Sequence, residues 1–261
     1  MSGEDLIVLD VVGKRFDHER HNRESLRQWL IRATSREQEE HQTRASEFTI
    51  ADVSFRVGTA EAVAIVGDNG AGKSTLLRLM AGIYEPSTGR ISVRGRVASV
   101  LELGAGFHKE LNGKENLAMY AGALGLSRAE FGSRSKEMVS FADIGDVLDK
   151  PIKHYSTGMQ ARLALAVALC GNFDVILMDE ALAVGDRSFR LKVEERVNNF
   201  VAGGGTIVLA SHNLDFLHRV CTRALWLSHG RLKADGPVDA VVNEYRSAKD
   251  QRQEKRAEPM R

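Results

Sequence analysis

A glycine-rich segment carries the most specific chemistry in the sequence. GDNGAGKST fits the pattern G-x-x-x-x-G-K-[ST], with Gly67, Gly72, Lys73 and Ser74 at the defining positions. Glycines let backbone N–H groups surround phosphate oxygens, and the N-terminus of a following helix adds favourable partial charge. We expect Lys73 to reach the outer phosphates of a nucleotide and Ser74 to offer its hydroxyl to Mg²⁺. The predicted nucleotide-binding residues of this loop are Gly67, Asp68, Asn69, Gly70, Ala71, Gly72, Lys73, Ser74 and Thr75.

The residues around the loop favour a true phosphate site over a chance match in a glycine-rich turn. An apolar run at 62–67 predicts a buried strand before the loop, and the pattern at 73–83 predicts a helix after it. The loop by itself is compatible with ATP or GTP. ATP is favoured because the sequence after the loop has no Asn-Lys-x-Asp motif of the kind that binds guanine.

Two acids and a histidine follow two further apolar runs. VILMDE ends in Asp179 and Glu180, and His212 follows the run that begins at Gly204. Asp179 can hold Mg²⁺ through water, and Glu180 can orient or deprotonate a water aimed at the γ-phosphate. His212 can hydrogen-bond the γ-phosphate or hold Glu180 in place. The alternatives are a helix-start signal for the acids and a structural role for the histidine.

The composition restricts the class of protein. Among 261 residues, 36 Lys and Arg against 35 Asp and Glu leave a net charge of +1, which argues against nucleic-acid binding through a basic surface. Cys170 and Cys221 lie in apolar surroundings and predict reduced core thiols, since no histidine partner for a catalytic cysteine is indicated. With no long apolar run and an acidic N-terminus, we expect a cytosolic protein without a transmembrane helix or signal peptide.

Apolar strands that alternate with helical patterns predict an α/β fold with a parallel sheet. The predicted buried strands are 62–67, 174–180 and 204–212, and the predicted helical segments are 73–83, 116–150, 160–170 and 188–201. Alternating segments at 6–12, 48–57 and 89–103 suggest an added antiparallel sheet, and 224–236 a hairpin. The charged residues 247–261 predict a disordered tail.

The order of these motifs resembles the nucleotide-binding domains of ABC transporters over about residues 5–246. YSTGMQ stands where that family usually carries the signature Leu-Ser-Gly-Gly-Gln. Ser156, Gly158 and Gln160 match, whereas Tyr155 replaces the leucine and Thr157 the first glycine. The resemblance implies a P-loop NTPase fold with a RecA-like parallel core, an antiparallel β subdomain and a helical signature subdomain at about 104–170.

The resemblance also implies a homodimer that holds two ATP molecules between its subunits. In this arrangement the signature residues bind the ATP held by the partner: Ser156, Thr157, Gly158, Met159 and Gln160. A helix N-terminus suits that contact. Ser156 also fits an ordinary helix cap.

Three further positions take their proposed roles from the family. Phe16 matches the aromatic residue that stacks on adenine, with a place in the core as the alternative. Asp186, which ends AVGD, matches the loop between the two nucleotide sites. Glu102 in LELGAGF stands near the family's Mg²⁺-contacting glutamine and is its candidate substitute, with a one-residue shift of the alignment as the alternative.

Three long stretches resemble the ATPases of polysaccharide exporters: LELGAGFHKELNGKEN, PIKHYSTGMQARLALAVA and MDEALAVGD. This resemblance implies an ATP-hydrolysing subunit that works with a separate membrane permease at the cytoplasmic face of the bacterial inner membrane. The cargo would be lipid-linked O-antigen, teichoic acid or galactan. The alternatives are an exporter of drugs or lipids, a soluble ABC ATPase, and a small-molecule kinase, which would not need YSTGMQ.

The charged insert at 17–47 contains ESLRQWLIRA, which predicts a short amphipathic helix. We expect this helix either to dock on the permease or the membrane surface, or to pack as a solvated arm on its own domain.

Overall fold

The computed structural model describes residues 5–16, 48–101, 106–179 and 186–257. The predicted helix in the insert at 17–47 lies outside these residues, and so do Glu102 and Glu180. Within the described ranges, no helix combines the length and the apolar character needed to cross a membrane.

Strands and helices alternate along the described chain. In chain order the strands are β1 (Asp5–Arg15), β2 (Phe48–Gly58), β3 (Ala62–Val66), β4 (Thr88–Val93), β5 (Val97–Val100), β6 (Val175–Asp179), β7 (Thr206–Ala210), β8 (Arg223–Ser228) and β9 (Arg231–Pro237). The α-helices are α1 (Lys73–Met80), α2 (Gly113–Ala123), α3 (Arg128–Ala142), α4 (Thr157–Cys170), α5 (Arg187–Ala202), α6 (Leu214–Val220) and α7 (Val238–Ala257). Short 3₁₀ turns at Gly145–Val147 and Ile152–His154 precede α4.

The larger sheet has the strand order β5-β6-β7-β3-β8-β9. Every neighbouring pair from β5 to β8 is parallel, and β8 and β9 form an antiparallel hairpin. β3 and β7 are buried at every position, as expected for strands that are covered on both faces. The predicted α/β fold with a parallel core is confirmed.

Alternate residues of β3 face two different cores. Ala64 and Val66 pack in a cluster with residues of α4, α5 and α7. Val63 and Ile65 pack in a second cluster with residues of α1, β1 and β2. The parallel sheet is therefore the middle layer of the molecule, with helices on one face and α1 with the smaller sheet on the other.

The smaller sheet is antiparallel, with the order β2-β1-β4. In β2, buried Val53, Phe55 and Val57 alternate with exposed Ser54 and Arg56, which is the pattern of a strand with one face on the core. The predicted antiparallel addition is present. The segment 89–103, which suggested one or two strands, contains β4 and β5, and these belong to different sheets.

Two helices of the segment from α2 to α4 begin with a capping box, which stabilises the start of each helix. Asn112 and Glu115 form a reciprocal capping box on α2, and Ser127 and Glu130 form the same arrangement on α3. Arg96, which precedes β5, donates a hydrogen bond to Glu130 and thereby connects α3 to the sheet. The side-chain hydrogen bond from Arg96, with further bonds from Ser127, lowers the pKa of Glu130 to about 2.

The two cysteines are buried free thiols, as the composition predicts. Burial raises the pKa of Cys221 to about 12 and that of Cys170 to about 11. Neither sulfur is therefore suited to act as a thiolate nucleophile.

The prediction of a disordered tail at 247–261 is wrong for residues 247–257, which continue α7 as a helix. The first half of α7 buries Val241, Val242 and Tyr245 against the core. Tertiary packing of that half supplies the helix nucleus, and the following charged residues are mostly good helix formers. Residues 258–261 lie outside the described chain.

We predict that Glu130→Gln lowers the urea midpoint of unfolding at pH 7, because it removes the charge that pairs with Arg96 but leaves the cap intact. A lowered carboxyl pKa stabilises the fold above the unfolded pKa, and this stabilisation is lost as the pH falls through the folded pKa. The difference from the parent should therefore shrink between pH 4.5 and about 2. Glu115→Gln, the same change at the same capping position of α2, is the control and should show a smaller difference. Equal behaviour of the two variants at every pH would contradict a special role for the Arg96 pair.

Candidate active site

The glycine-rich loop between β3 and α1 is shaped by close approaches from both sheets. At Gly72, where φ is 104°, an added Cβ would lie 2.7 Å from Ile50 Cδ1 and 2.9 Å from the Thr49 carbonyl oxygen. At Gly67 a Cβ would lie 2.3 Å from the carbonyl oxygen of Leu227. Only glycine fits these two positions, because any side chain there would collide with the neighbouring strands.

Lys73 is buried at the start of α1, with its side chain folded over the loop. Its Nζ donates hydrogen bonds to the carbonyl oxygens of Gly67, at 2.9 Å, and Asp68, at 3.2 Å. The Asp68 carbonyl also accepts the N–H of Ala71 at 3.1 Å. These bonds hold the Lys73 ammonium beside the N-terminus of α1. Both the ammonium and the helix N-terminus attract an anion.

The phosphate-binding loop, Asp179 and His212 all lie at the carboxyl edge of the parallel sheet. Ile65 of β3 and Asp179 of β6 both pair with Ala210 of β7, so the three strands end in line. The loop leaves β3 at this edge, and His212 lies two residues beyond the end of β7. Asp179 is half-buried and His212 is exposed. The structure thus brings together the loop, Asp179 and His212, and Glu180 follows Asp179 directly in the chain.

The residues present suit a hard cation. Ser74 is half-buried in the first turn of α1, and Asp179 ends β6. A hydroxyl and a carboxylate are oxygen donors of the type that Mg²⁺ binds together with nucleotide phosphates. Glu102, the third candidate ligand, lies outside the described residues.

The signature segment forms the N-terminus of α4. Ser156 is the cap residue, and its Oγ accepts the N–H of Met159 at 3.2 Å. Ser156 and Thr157 are exposed, whereas the helix behind them is largely buried from Ala161 to Cys170. A groove of about 650 Å³ runs along this helix start and is lined in part by Ser156, Gly158 and Met159. Gln160 donates from Nε2 to the carbonyl of Tyr155 at 3.4 Å. The segment is an ordinary helix cap, and its exposed N-terminus carries the positive partial charge that favours anions.

Arg162 connects the signature helix to Asp186. Its guanidinium donates to Asp186 Oδ2 at 3.0 Å and lies 4.5 Å from the ring centre of Phe189. Asp186 also caps α5 by accepting the Phe189 N–H at 2.9 Å. The hydroxyl of Ser188 and that N–H, followed by Arg162, lower the pKa of Asp186 to about 2. The sequence analysis does not predict a role for Arg162. The sequence shows that Arg162 lies on the helix that follows Ser156, but not that it contacts Asp186.

Phe16 lies in a small aromatic group next to the smaller sheet. Its ring is half-buried and meets Tyr84 edge-on, with ring centres 5.2 Å apart. The ammonium of Lys14 is 5.1 Å from the centre of the Phe16 ring and donates to the carbonyl of Glu85. The partly exposed ring remains compatible with base stacking. Tyr84 and Lys14 were not singled out from the sequence, because neither belongs to a recognisable motif.

Comparison with known proteins places this fold and these motifs in one family. The family model for ABC transporters matches residues 50–183. An O-antigen export system ATP-binding protein of Klebsiella pneumoniae is 43% identical over 199 residues, which cover 76% of this chain and 81% of that protein. A teichoic acids export ATP-binding protein of Bacillus cereus is 38% identical over 200 residues, which cover 77% of this chain but 36% of that longer protein.

Solved structures agree with these relatives. A structure described as the ATP-binding subunit of an ABC transporter has a TM-score of 0.74, with 25% identity, and covers 92% of this chain and 93% of its own. A dimeric ATP-binding cassette in a post-hydrolysis state, bound to ADP and Pi, has a TM-score of 0.70 at 19% identity, with 89% and 98% covered. The chain belongs to the ABC transporter family, and it is an ATP-binding ATPase with the P-loop NTPase fold.

We predict that Gly72→Ala destabilises the chain and abolishes binding of labelled ATP, because the new Cβ would collide with Ile50 and the backbone of Thr49. Gly82→Ala is the matched control, since its φ of 70° is also positive but the added Cβ meets no described atom within 4 Å. Both variants carry backbone strain of about 1–2 kcal/mol. Gly72→Ala should therefore lower the urea midpoint more than Gly82→Ala does, and only Gly72→Ala should lose ATP binding. Equal midpoints and equal binding would show that the loop can admit the extra carbon.

Proposed function

We propose that this chain is the ATP-hydrolysing subunit of an ABC exporter that moves a lipid-linked polysaccharide across a bacterial inner membrane. The polymer is of the O-antigen, teichoic acid or galactan type, and it passes through a separate permease. The observation that carries this proposal is the 43% identity to an O-antigen export ATP-binding protein over 81% of that protein's length.

The proposed nucleotide site begins at the loop and α1. Phe16 stacks on the adenine, the backbone N–H groups from Gly67 to Thr75 surround the phosphates, and Lys73 neutralises their outer oxygens. Ser74 and Asp179, with Glu102 as a further candidate, hold Mg²⁺. When bound, this ion neutralises charge on the phosphates.

Hydrolysis in this proposal uses residues at the carboxyl edge of the sheet. Glu180 orients a water molecule toward the γ-phosphate and accepts its proton. His212 contacts the γ-phosphate or holds the Glu180 carboxylate. The alignment of β6 with β7 supports these roles, because Asp179 at the end of β6 pairs with Ala210 at the end of β7. Glu180 directly follows Asp179 in the chain, and His212 lies two residues after Ala210.

The proposed active unit is a homodimer in which each ATP lies between the loop of one copy and the signature of the other. Support comes from the exposure of Ser156 and Thr157 at the start of a buried helix, next to an open groove. A fixed helix N-terminus that faces solvent is suited to receive a phosphate from a second molecule. The ion pair between Arg162 and Asp186 would then pass movement of the signature helix to the segment that follows Glu180.

The proposed location is the cytoplasmic face of the inner membrane, where the chain binds peripherally through its permease. ATP-driven closure of the dimer would move the permease, and hydrolysis would reset it. The amphipathic helix expected in the insert at 17–47 is a candidate contact with the permease or the membrane surface.

Mixing two inactive variants tests the shared site. In dimers of Ser156→Arg with Lys73→Ala, one composite site carries both defects and the other carries none. Each variant alone should be inactive, and an equal mixture should regain intact sites amounting to about a quarter of the parent's, if the subunits pair at random. ATP hydrolysis measured before and after mixing provides the readout.

Ser140→Arg, which places the same side chain on an exposed position of α3, is the control and should keep its activity. If the mixture stayed as inactive as its components, although mixed dimers were shown to form, the shared site would be refuted.

Copurification tests the transport function. Affinity capture of the full chain from native membranes should recover a polytopic permease, and genes for sugar transferases should neighbour its gene. A permease encoded among drug-resistance or lipid genes would leave the ATPase role intact and overturn the cargo. Repeated capture without any membrane protein would favour a soluble ABC ATPase.

A further inference from the structure

The C-terminal helix α7 reaches the phosphate-binding loop. Tyr245 is only 5% exposed, and its ring packs edge-on against Trp226 of β8 with ring centres 5.9 Å apart. Its hydroxyl donates a hydrogen bond to Asp68 Oδ1 at 3.2 Å. Val241 and Val242 of the same helix are buried, so the backbone that carries the hydroxyl is fixed by the core.

Asp68 is a structural member of the loop. Its carbonyl oxygen accepts the N–H of Ala71 at 3.1 Å and the ammonium of Lys73 at 3.2 Å. The residue therefore joins three groups: the turn of the loop, the phosphate-binding lysine, and the helix at the other end of the chain. The hydrogen bond from Tyr245 restrains the Asp68 side chain, and with it the residue whose carbonyl helps to hold Lys73.

We propose that Tyr245 is a positioning residue for ATP binding, which acts through Asp68 to hold the phosphate loop and Lys73 in place. The inference rests on the proposed role of this loop in binding the phosphates. α7 then has two roles. It packs on the core beside Trp226, and through Tyr245 it raises the affinity of the phosphate loop for ATP.

The decisive variant is Tyr245→Phe, which removes the hydroxyl and keeps the ring against Trp226. Loss of this hydrogen bond removes a restraint on Asp68, so the loop becomes less ordered before ATP binds. We expect the Kd for ATP and the KM to rise about 3- to 30-fold, with kcat within about twofold of the parent. Tyr120→Phe, which removes the same atom from another buried tyrosine, is the control and should bind ATP like the parent.

A double-variant cycle separates action through Asp68 from any other effect. In an Asp68→Ala background, Tyr245→Phe should change the Kd by less than about twofold, since its acceptor is gone. The same loss in both backgrounds would overturn the proposal. So would a fall of kcat and urea midpoint together with affinity, which would assign Tyr245 a purely structural role.

Lys73→Ala distinguishes failure of this inference from failure of the proposed site. If Lys73→Ala loses ATP and Tyr245→Phe binds it like the parent, the inference is wrong and the site stands. If Lys73→Ala binds ATP normally, the assignment of the loop itself is wrong.

Discussion

The parallel register of β3, β6 and β7 is the constraint on which the site depends. Ile65 and Asp179 pair with the same residue of β7, so the chain leaves all three strands at one level. A slip of one residue would turn the side chains of β3 to the opposite faces. That slip is opposed because the two faces of β3 pack into separate cores. The candidate catalytic edge is therefore held in place by burial on both faces of the sheet.

The proposed signature site is built differently, on a helix start and not on strand ends. α4 is buried along most of its length, which makes the exposed Ser156 a rigid feature of the surface. Arg162 extends from this helix to Asp186, and Asp186 in turn caps α5. Asp179 is fixed by its pairing with β7, and Asp186 is fixed by Arg162 and by its place at the start of α5.

Short motifs and apolar runs predict the parts of this structure that are determined locally. The phosphate loop, the buried strands and the hairpin follow from residues that are neighbours in the chain, and the structure has them close to the expected positions. The contacts that join these parts could not be predicted, because they link distant residues. Tyr245 meets Asp68 across 177 positions, and no periodicity indicates that pair.

The end of α7 is a second feature that local sequence does not predict. Residues 247–257 have the composition of a tail, and their helical state depends on the packing of Val241, Val242 and Tyr245 just before them. Arg162 is a similar case, since its identity as a helix residue is evident but its contact with Asp186, 24 positions away, is tertiary. In each example the residue type is local information and the contact is tertiary information.

The exposed start of α4 has a consequence for how activity depends on assembly. If each ATP needs a loop from one copy and Ser156 from another, a lone chain in dilute solution holds two half-sites and no complete one. A permease that binds two copies raises the effective concentration of each half-site for the other, to the millimolar range typical of short tethers. Turnover would then be confined largely to assembled transporters, and free chains would consume little ATP without any dedicated inhibitor.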